Sequence, residues 1–403
     1  MLAQSLEVQS EAAFGVDELF FSRTDERGVI LAGNTVFQRV AGFDWDELIG
    51  APHKIIRHPD MPKAVFWILW DRLKAGRPVG AYVKNRTKDG GYYWVYAMVT
   101  PVPGGYLSVR IKPTSELLGT VEKLYAQLRE EEGSDDSSTV QSVSTLSAAL
   151  ADLGFRDYAA FMAHSVAQEF CSRNQLLSRR ETMDHGAVQA MLQATNNSLH
   201  EAVEVFQFFK HIRDFPVNLG IQATRLPGAG KIFGVIAADF GRFCQNIETN
   251  IRAFLDSSVR VTERITDGVF LLYAAQVQQE MAGVFEGEEA GAGDIDFTTE
   301  TILLRKQAES FLSETRTNLD LIVRDAKSFH SQCSELLALA SALDVARTIG
   351  SVESARLNEQ GRTLQDMMSE AGRYQEAIAK HLTRLEKLNR ETLDRASALS
   401  SGI

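Results

Sequence analysis

The sequence predicts an α+β domain at the N-terminus, followed by an all-α antiparallel helical bundle or coiled coil. Three observations lead there. Of nine prolines, all but Pro216 and Pro227 lie at or before Pro113, so the second half tolerates long helices. Residues 16–112 mix short strand-like runs with short helices. Beyond Ser115, apolar residues recur every three or four positions.

Taken in order, residues 1–15 read as an N-terminal cap segment and 16–114 as a sensor-sized α+β domain. Within it GVILAGN, GYYWVYAMVTPV and GGYLSVRIKP alternate apolar with polar residues between Gly-rich turns, as strands do. TVFQRVAGF and KAVFWILWDRLKAG have helical spacing, and the second ends at Gly76. Leu117, Val121, Leu124 and Leu128 mark a linker helix, which with an acidic, Ser-rich hinge fills 115–138. Residues 139–186 read as a helical connector with breaks near Gly154 and His185–Gly186.

Two helical hairpins follow. The first spans 187–285 with its turn near 226–230, and the second spans 295–403 with its turn near 356–361. An acidic Gly-rich linker at 286–294 separates them. One arm carries a seam of Phe240, Phe243, Ile247, Ile251, Phe254, Val261 and Ile265. Another carries Ala308, Phe311, Ile322, Phe329, Leu336 and Leu343. Stripes of this kind are helix-on-helix core, not cofactor sites.

Composition narrows the function. A net charge of −11 disfavours nucleic acid and anionic membrane surfaces as partners. The three cysteines, Cys171, Cys244 and Cys333, are far apart and form no CxxC pair, which fits a reducing compartment better than a disulfide framework. The first residues lack the basic and apolar regions of a signal peptide, and no run approaches the roughly 18 apolar residues of a membrane span. The expected location is the cytoplasm. No phosphorylatable-His kinase core, P-loop or other catalytic constellation is present, so enzyme activity is not expected.

The most specific motif is PHKIIRHPDMPKAVFW at 52–67. With GVILAGNTVFQRVAGFDWDELIGAPH, the strand VKNRTKDGGYYWV at 83–95 and YLSVR at 106–110, it resembles the PAS domain of the aerotaxis-receptor family over about residues 16–128. The resemblance implies a bound flavin, FAD, and carries Asn34, His53, Arg57, His58, Asp60, Trp70 and Asn85 over as its contacts. These residue types suit a flavin, because an isoalloxazine needs aromatic faces, here Trp70 and Trp67, and a few placed donors and acceptors. Other roles compete. Asn34 can cap a helix, Asp60 can serve a turn beside Pro59, and His53 or His58 could ligate haem, the less favoured cofactor. A light-driven cysteinyl adduct is excluded because no cysteine precedes Cys171. The family's GxPW segment is GRPVG here, so Val79 stands where an aromatic wall is expected.

The helical region is similar to another family. NLGIQATRLPGAGKIFGVIAAD at 218–239 aligns without gaps with the signalling tip of methyl-accepting chemotaxis receptors, with Gln222, Pro227 and Ile232 as departures. VESARLNEQGR at 352–362 echoes the same tip and aligns with 221–231 of this chain, which suggests an internal repeat. The resemblance implies a chemotaxis histidine kinase and its coupling protein as partners, through Asn218, Gln222, Arg225, Phe233, Glu353 and Arg356. Self-association through the PAS domain or the linker helix is a further expectation.

Overall fold

A computed structural model describes residues 10–133, 139–179, 185–225, 230–287 and 295–402. The contacts divide the chain into two units, Met1–His185 with Thr266–Thr315, and Gly186–Ile265 with Arg316–Ile403. The cap segment, hinge, first turn and acidic linker expected from sequence fall wholly or largely outside the described residues.

The first unit is built on an antiparallel five-stranded sheet in the order β2-β1-β5-β4-β3. Its strands are β1 (Phe20–Asp25), β2 (Ile30–Gly33), β3 (Val79–Arg86), β4 (Tyr92–Val102) and β5 (Gly105–Ile111). Between β2 and β3 lie α1 (Thr35–Ala41), α2 (Trp45–Leu48), a 3₁₀ turn at His53–Ile56, and α3 (Lys63–Lys74). After the sheet come α4 (Leu117–Glu132), α5 (Thr139–Asp152) and α6 (Tyr158–Leu176). The fold is that of a PAS domain with long helices behind it.

Two sequence expectations change. The segment 83–95 is a hairpin and not one strand, because Thr87–Gly91 turns the chain between β3 and β4, with Gly90 at φ 95°. β1 was not among the expected strands; it forms because Phe20–Asp25 pairs along its length with β5.

Strand alternation gives the sheet two different faces. Ser22, Thr24, Asn85, Ala97, Ser108 and Arg110 line a cavity on one face. On the other, Tyr96 donates to the Met162 carbonyl at 3.0 Å, and Tyr82 donates to Glu169 at 2.7 Å; both acceptors lie on α6. The same face meets the 266–315 segment: Gln278 donates to Thr100 at 3.2 Å, Phe21 packs edge-on against Phe285, and Arg23 Nε donates to both carboxylate oxygens of Glu300, at 2.8 and 2.9 Å. Glu169 also accepts from the Thr114 and Ser115 amides at 2.6 and 3.1 Å, tying the strand-to-helix junction to α6.

α4 buries Val121, Leu124, Tyr125 and Leu128, with Tyr125 donating to the Tyr82 carbonyl at 3.2 Å. Its apolar stripe is therefore used within the chain.

In the second unit, α7 (His185–Arg213), α8 (Phe215–Ala223), α9 (Gly230–Gly287), α10 (Phe297–Arg356) and α11 (Arg362–Gly402) supply the arms, α9 and α10 with only part of their length. Sequence spacing predicts one unbroken arm over 187–226; the structure interrupts it at Asp214 because Pro216, at the start of α8, cannot donate an amide hydrogen bond to the turn before it. Phe209, Phe215, Phe233, Phe240, Ile251, Phe329, Leu336, Leu343, Met368 and Leu382 join one core to which all five helices contribute. Of the first seam, Phe240, Ile251, Val261 and Ile265 are buried and Phe243 partly so; the side chains of Ile247 and Phe254 lie outside the described residues. The second seam is buried at all six positions.

The two turns share one close contact. A Cβ on Gly230 would lie 2.8 Å from the Ala223 carbonyl oxygen, and one on Gly361 would lie 2.0 Å from that of Ser354. Each glycine stands seven residues after its carbonyl, and the two pairs occupy matching places in the 221–231 and 352–362 alignment. α8, which leads into the first turn, packs on α11, which leaves the second.

Gly361→Ala must push backbone aside and is expected to cost about 1–3 kcal/mol. Gly234→Ala, with no atom near its Cβ, should be neutral or slightly stabilising in mid-helix. Thermal melts followed by helical circular dichroism check the pair.

Candidate functional site

The cavity lies between the inner sheet face, the 3₁₀ turn and α3, with a volume of about 150 Å³. That is on the order of ten times what one water needs. Phe66, Leu69, Trp70 and Leu73 reach it from α3, a placement that follows from their three- and four-residue spacing. Val83, Ala97 and Val99 add an apolar floor, and Tyr106 meets Trp70 edge-on at 5.3 Å between ring centroids. Gly28, at φ 78°, lets the chain pass Trp70: a Cβ there would sit 3.4 Å from the indole.

Polar groups interrupt this apolar wall. Arg57 lies 3.7 Å from the centroid of Phe66, and its backbone bridges to Asn85. Burial lowers the Arg57 pKa from its ordinary value, and the Glu132 carboxylate opposes that shift. Asn85 is buried beside Tyr93, whose phenol is pushed up by burial. His53 is half-buried. Even so, burial and then the Arg110 guanidinium push its pKa well down, so the imidazole is neutral at pH 7. Arg110 Nη2 donates to His53 Nε2 at 2.7 Å, which places the ring proton on Nδ1. Arg110 also donates to Ser108 at 3.1 Å and to Ser22.

Of the seven flavin contacts expected from sequence, the structure brings His53, Arg57, Trp70 and Asn85 together around the cavity. The other three stand outside its lining. Asn34 serves as a structural group: its Oδ1 accepts from the Phe21 and Phe37 amides, and its Nδ2 donates to the Leu19 carbonyl at 2.8 Å. His58 is buried, with Nδ1 accepting from the Asp60 amide at 3.1 Å and its ring edge-on to Tyr92. Asp60 is exposed and paired with Lys84 at 2.6 Å. Trp67 points outward, 44% exposed, and Val79 is buried away from the lining, paired across the sheet with Val99. Arg110, Ser22, Ser108, Phe66 and Tyr106 are cavity residues that sequence reasoning missed. Arg110 and Tyr106 sit in the YLSVR block, where the same alternation that turns Leu107 and Val109 to the opposite, also buried, face turns them to the cavity.

α3 has no side-chain cap of its own. Its first amides donate instead to Glu132 at the end of α4, Lys63 at 2.8 and 3.0 Å and Ala64 at 3.3 Å. Ser142 of α5 donates to the same carboxylate, and Arg129 does so at 3.1 Å. Burial would raise the Glu132 pKa; these donors outweigh it and hold the carboxyl below its ordinary value.

In the second unit Asn218 and Gln222 line a groove with Ile221, Met367, Glu370 and Tyr374. Arg225 is exposed beside the first turn, and Glu353 and Arg356 pair with each other at 2.6 Å before the second. Phe233 is wholly buried in the core, so its part is packing and not partner contact.

The PAS fold family matches residues 30–107. The aerotaxis receptor of Escherichia coli (strain K12) is 41% identical over 125 residues, 30% of this chain and 25% of that protein. Residues 30–107 are an aerotaxis-receptor-like PAS domain. The nitrogen fixation regulatory protein of Klebsiella oxytoca is 28% identical over 81 residues, 20% of this chain and 16% of that one. This chain thus spans a quarter or less of either relative's length. A solved light-state structure of the blue-light photoreceptor Aureochrome1 LOV matches 25% of the chain and 86% of its own, at 19% identity and a TM-score of 0.23. Among the described residues no helix is long and apolar enough to cross a membrane, and no His, Cys, Asp and Glu cluster is suited to a metal ion.

Proposed function

We propose that the chain is a redox or oxygen sensor in which FAD, held in the PAS cavity, controls a chemoreceptor-like helical bundle, serving aerotaxis or energy sensing. The observation that carries this reading is the meeting of His53, Arg57, Trp70 and Asn85, drawn from separate sequence blocks, around one aromatic-walled cavity. The residues suit the group. Trp70, Phe66 and Tyr106 offer ring faces and edges, Asn85 offers paired donor and acceptor, and Arg57, Lys54 and Arg110 offer positive charge. A flavin there would supply reversible electron uptake.

The protein's share is to sense a change of charge and pass it on. β1 is one strand thick. Ser22 faces the cavity and accepts from Arg110, while its neighbours Phe21 and Arg23 grip Phe285 and Glu300 on the opposite face. A shift at Ser22 therefore bears on the end of α9 and the start of α10. To act as a signal it must favour one helical state over another by a few kcal/mol. The output partners would be a chemotaxis histidine kinase and its coupling protein, recognised near the two turns by Asn218, Gln222, Arg225, Glu353 and Arg356. The family's signalling role makes catalysis by this chain itself unexpected.

The purified full chain is expected to be yellow, with flavin absorbance that dithionite bleaches. A Soret band would replace flavin with haem, and colourless protein that takes up neither would leave a cofactor-free docking module. Capture of neither the kinase nor the coupling protein would remove the chemotaxis output while leaving the sensor intact.

A further inference from the structure

Arg110 is 2% exposed, and its Nη1 has no hydrogen-bond partner. The rest of the group is engaged: Nε on Ser108, Nη2 on Ser22 and His53, and the guanidinium 5.3 Å from the centroid of Phe37. Every one of these partners is neutral. Ser22 and Ser108 carry no charge, and His53 accepts from Arg110 and so is unprotonated. Tyr93, the titratable neighbour on β4, is a phenol. The guanidinium keeps its charge despite burial, with its pKa pushed down to about 10. A buried cation among neutral groups is costly, and a buried N–H without an acceptor adds to the cost. An electron-rich atom entering the cavity beside Nη1 would supply the missing acceptor and offset the buried charge, because Arg110 is part of its wall.

We infer that Arg110 is the specificity-determining residue of this cavity, and that the occupant presents to it an acceptor edge able to take up negative charge. This rests on the flavin reading for the identity of the occupant, though not for the demand that Arg110 makes. The chemical class is a planar heteroaromatic whose carbonyl–imide edge spreads negative charge over its oxygens when it ionises. Arg110 favours the ionised edge over the neutral one, and His53, held on its Nδ1 tautomer, fixes the direction in which the guanidinium points.

The test compares wild type, Arg110→Met and Arg110→Lys as full chains, with oxidised FAD as the probe. Affinity is read from flavin fluorescence, and ionisation of the bound imide from an absorbance titration. Arg110→Met is expected to weaken FAD at least tenfold and to raise the imide pKa of what still binds. Arg110→Lys, which keeps the charge, should recover most of both. Equal affinity in Arg110→Met and wild type, or equal loss in both variants, overturns the inference while the flavin reading stands. If Arg110→Met does not fold, Arg110→Gln against Arg110→Lys decides the same question. If wild type takes up no FAD, the flavin reading falls, and the melting points of the ligand-free chains decide. Arg110→Met melting at or above wild type supports an unmet charge; a clear drop shows that Arg110 is a structural brace and ends the proposal.

Discussion

Glu280→Met is expected to destabilise the first unit by about 3–5 kcal/mol, more than loss of its partner would. Arg173 is fully buried, and its guanidinium forks onto Glu280 at 2.8 and 2.7 Å while donating to the Val16 carbonyl at 2.9 Å. Removing Glu280 strands that charge in the interior. Arg173→Met is milder, about 1–2 kcal/mol, because Glu280 keeps Arg179 at 2.8 Å and some solvent. The double variant should cost less than the two singles added together. Urea unfolding followed by tryptophan fluorescence reads this unit, since Trp45, Trp67, Trp70 and Trp94 all lie within it. Equal single costs, or strict additivity, would count against a stranded cation. The acid side carries the same signature. Burial pushes the Glu280 carboxyl up, but Arg173 and Arg179 pull it below its ordinary value. A carboxyl depressed on folding stabilises the fold above its unfolded pKa, and that contribution fades as pH falls through the folded value. The wild type should lose stability below about pH 5 more steeply than Arg173→Met/Glu280→Met.

Glu132→Ala is expected to cost about 2–4 kcal/mol and to weaken whatever the cavity holds. The substitution leaves the Lys63 and Ala64 amides of α3 without an acceptor, unbinds Ser142, and removes the carboxylate that faces Arg57. α3 supplies Phe66, Leu69, Trp70 and Leu73 to the cavity, so loosening its first turn loosens one wall. Hydrogen exchange should rise first at 63–66 and at the start of α5. Unchanged protection there would mean that the helix start is held by packing alone.

Much of the PAS fold was legible in the sequence because its signals are local. Gly76 ends α3 at a positive φ, and the alternation of GYYWVYAMVTPV gives β4. The cavity was legible only in part. Trp70 and Asn85 were found, whereas Arg110 was passed over because a strand arginine reads as surface until both faces of the strand are known to be covered. A clue was present: Leu107, Val109 and Ile111 are apolar on the face opposite Arg110, as in a sheet buried on both sides. What covers that face could not be read locally. Thr100 meets Gln278, and Arg23 meets Glu300, across separations that no periodicity records. Asn34 shows the opposite limit, since one residue type suits both ligand contact and helix capping, and only the hydrogen bonds to Phe21, Phe37 and Leu19 decide.

Joining Gly230 and Gly361 in one polypeptide has a thermodynamic outcome. Two hairpins on separate chains would meet by mass action and part on dilution; two hairpins tethered by peptide bonds meet at an effective concentration set by the tether, whatever the cell supplies. A gene of this form can also alter one turn and spare the other, whereas identical subunits inherit every change in duplicate.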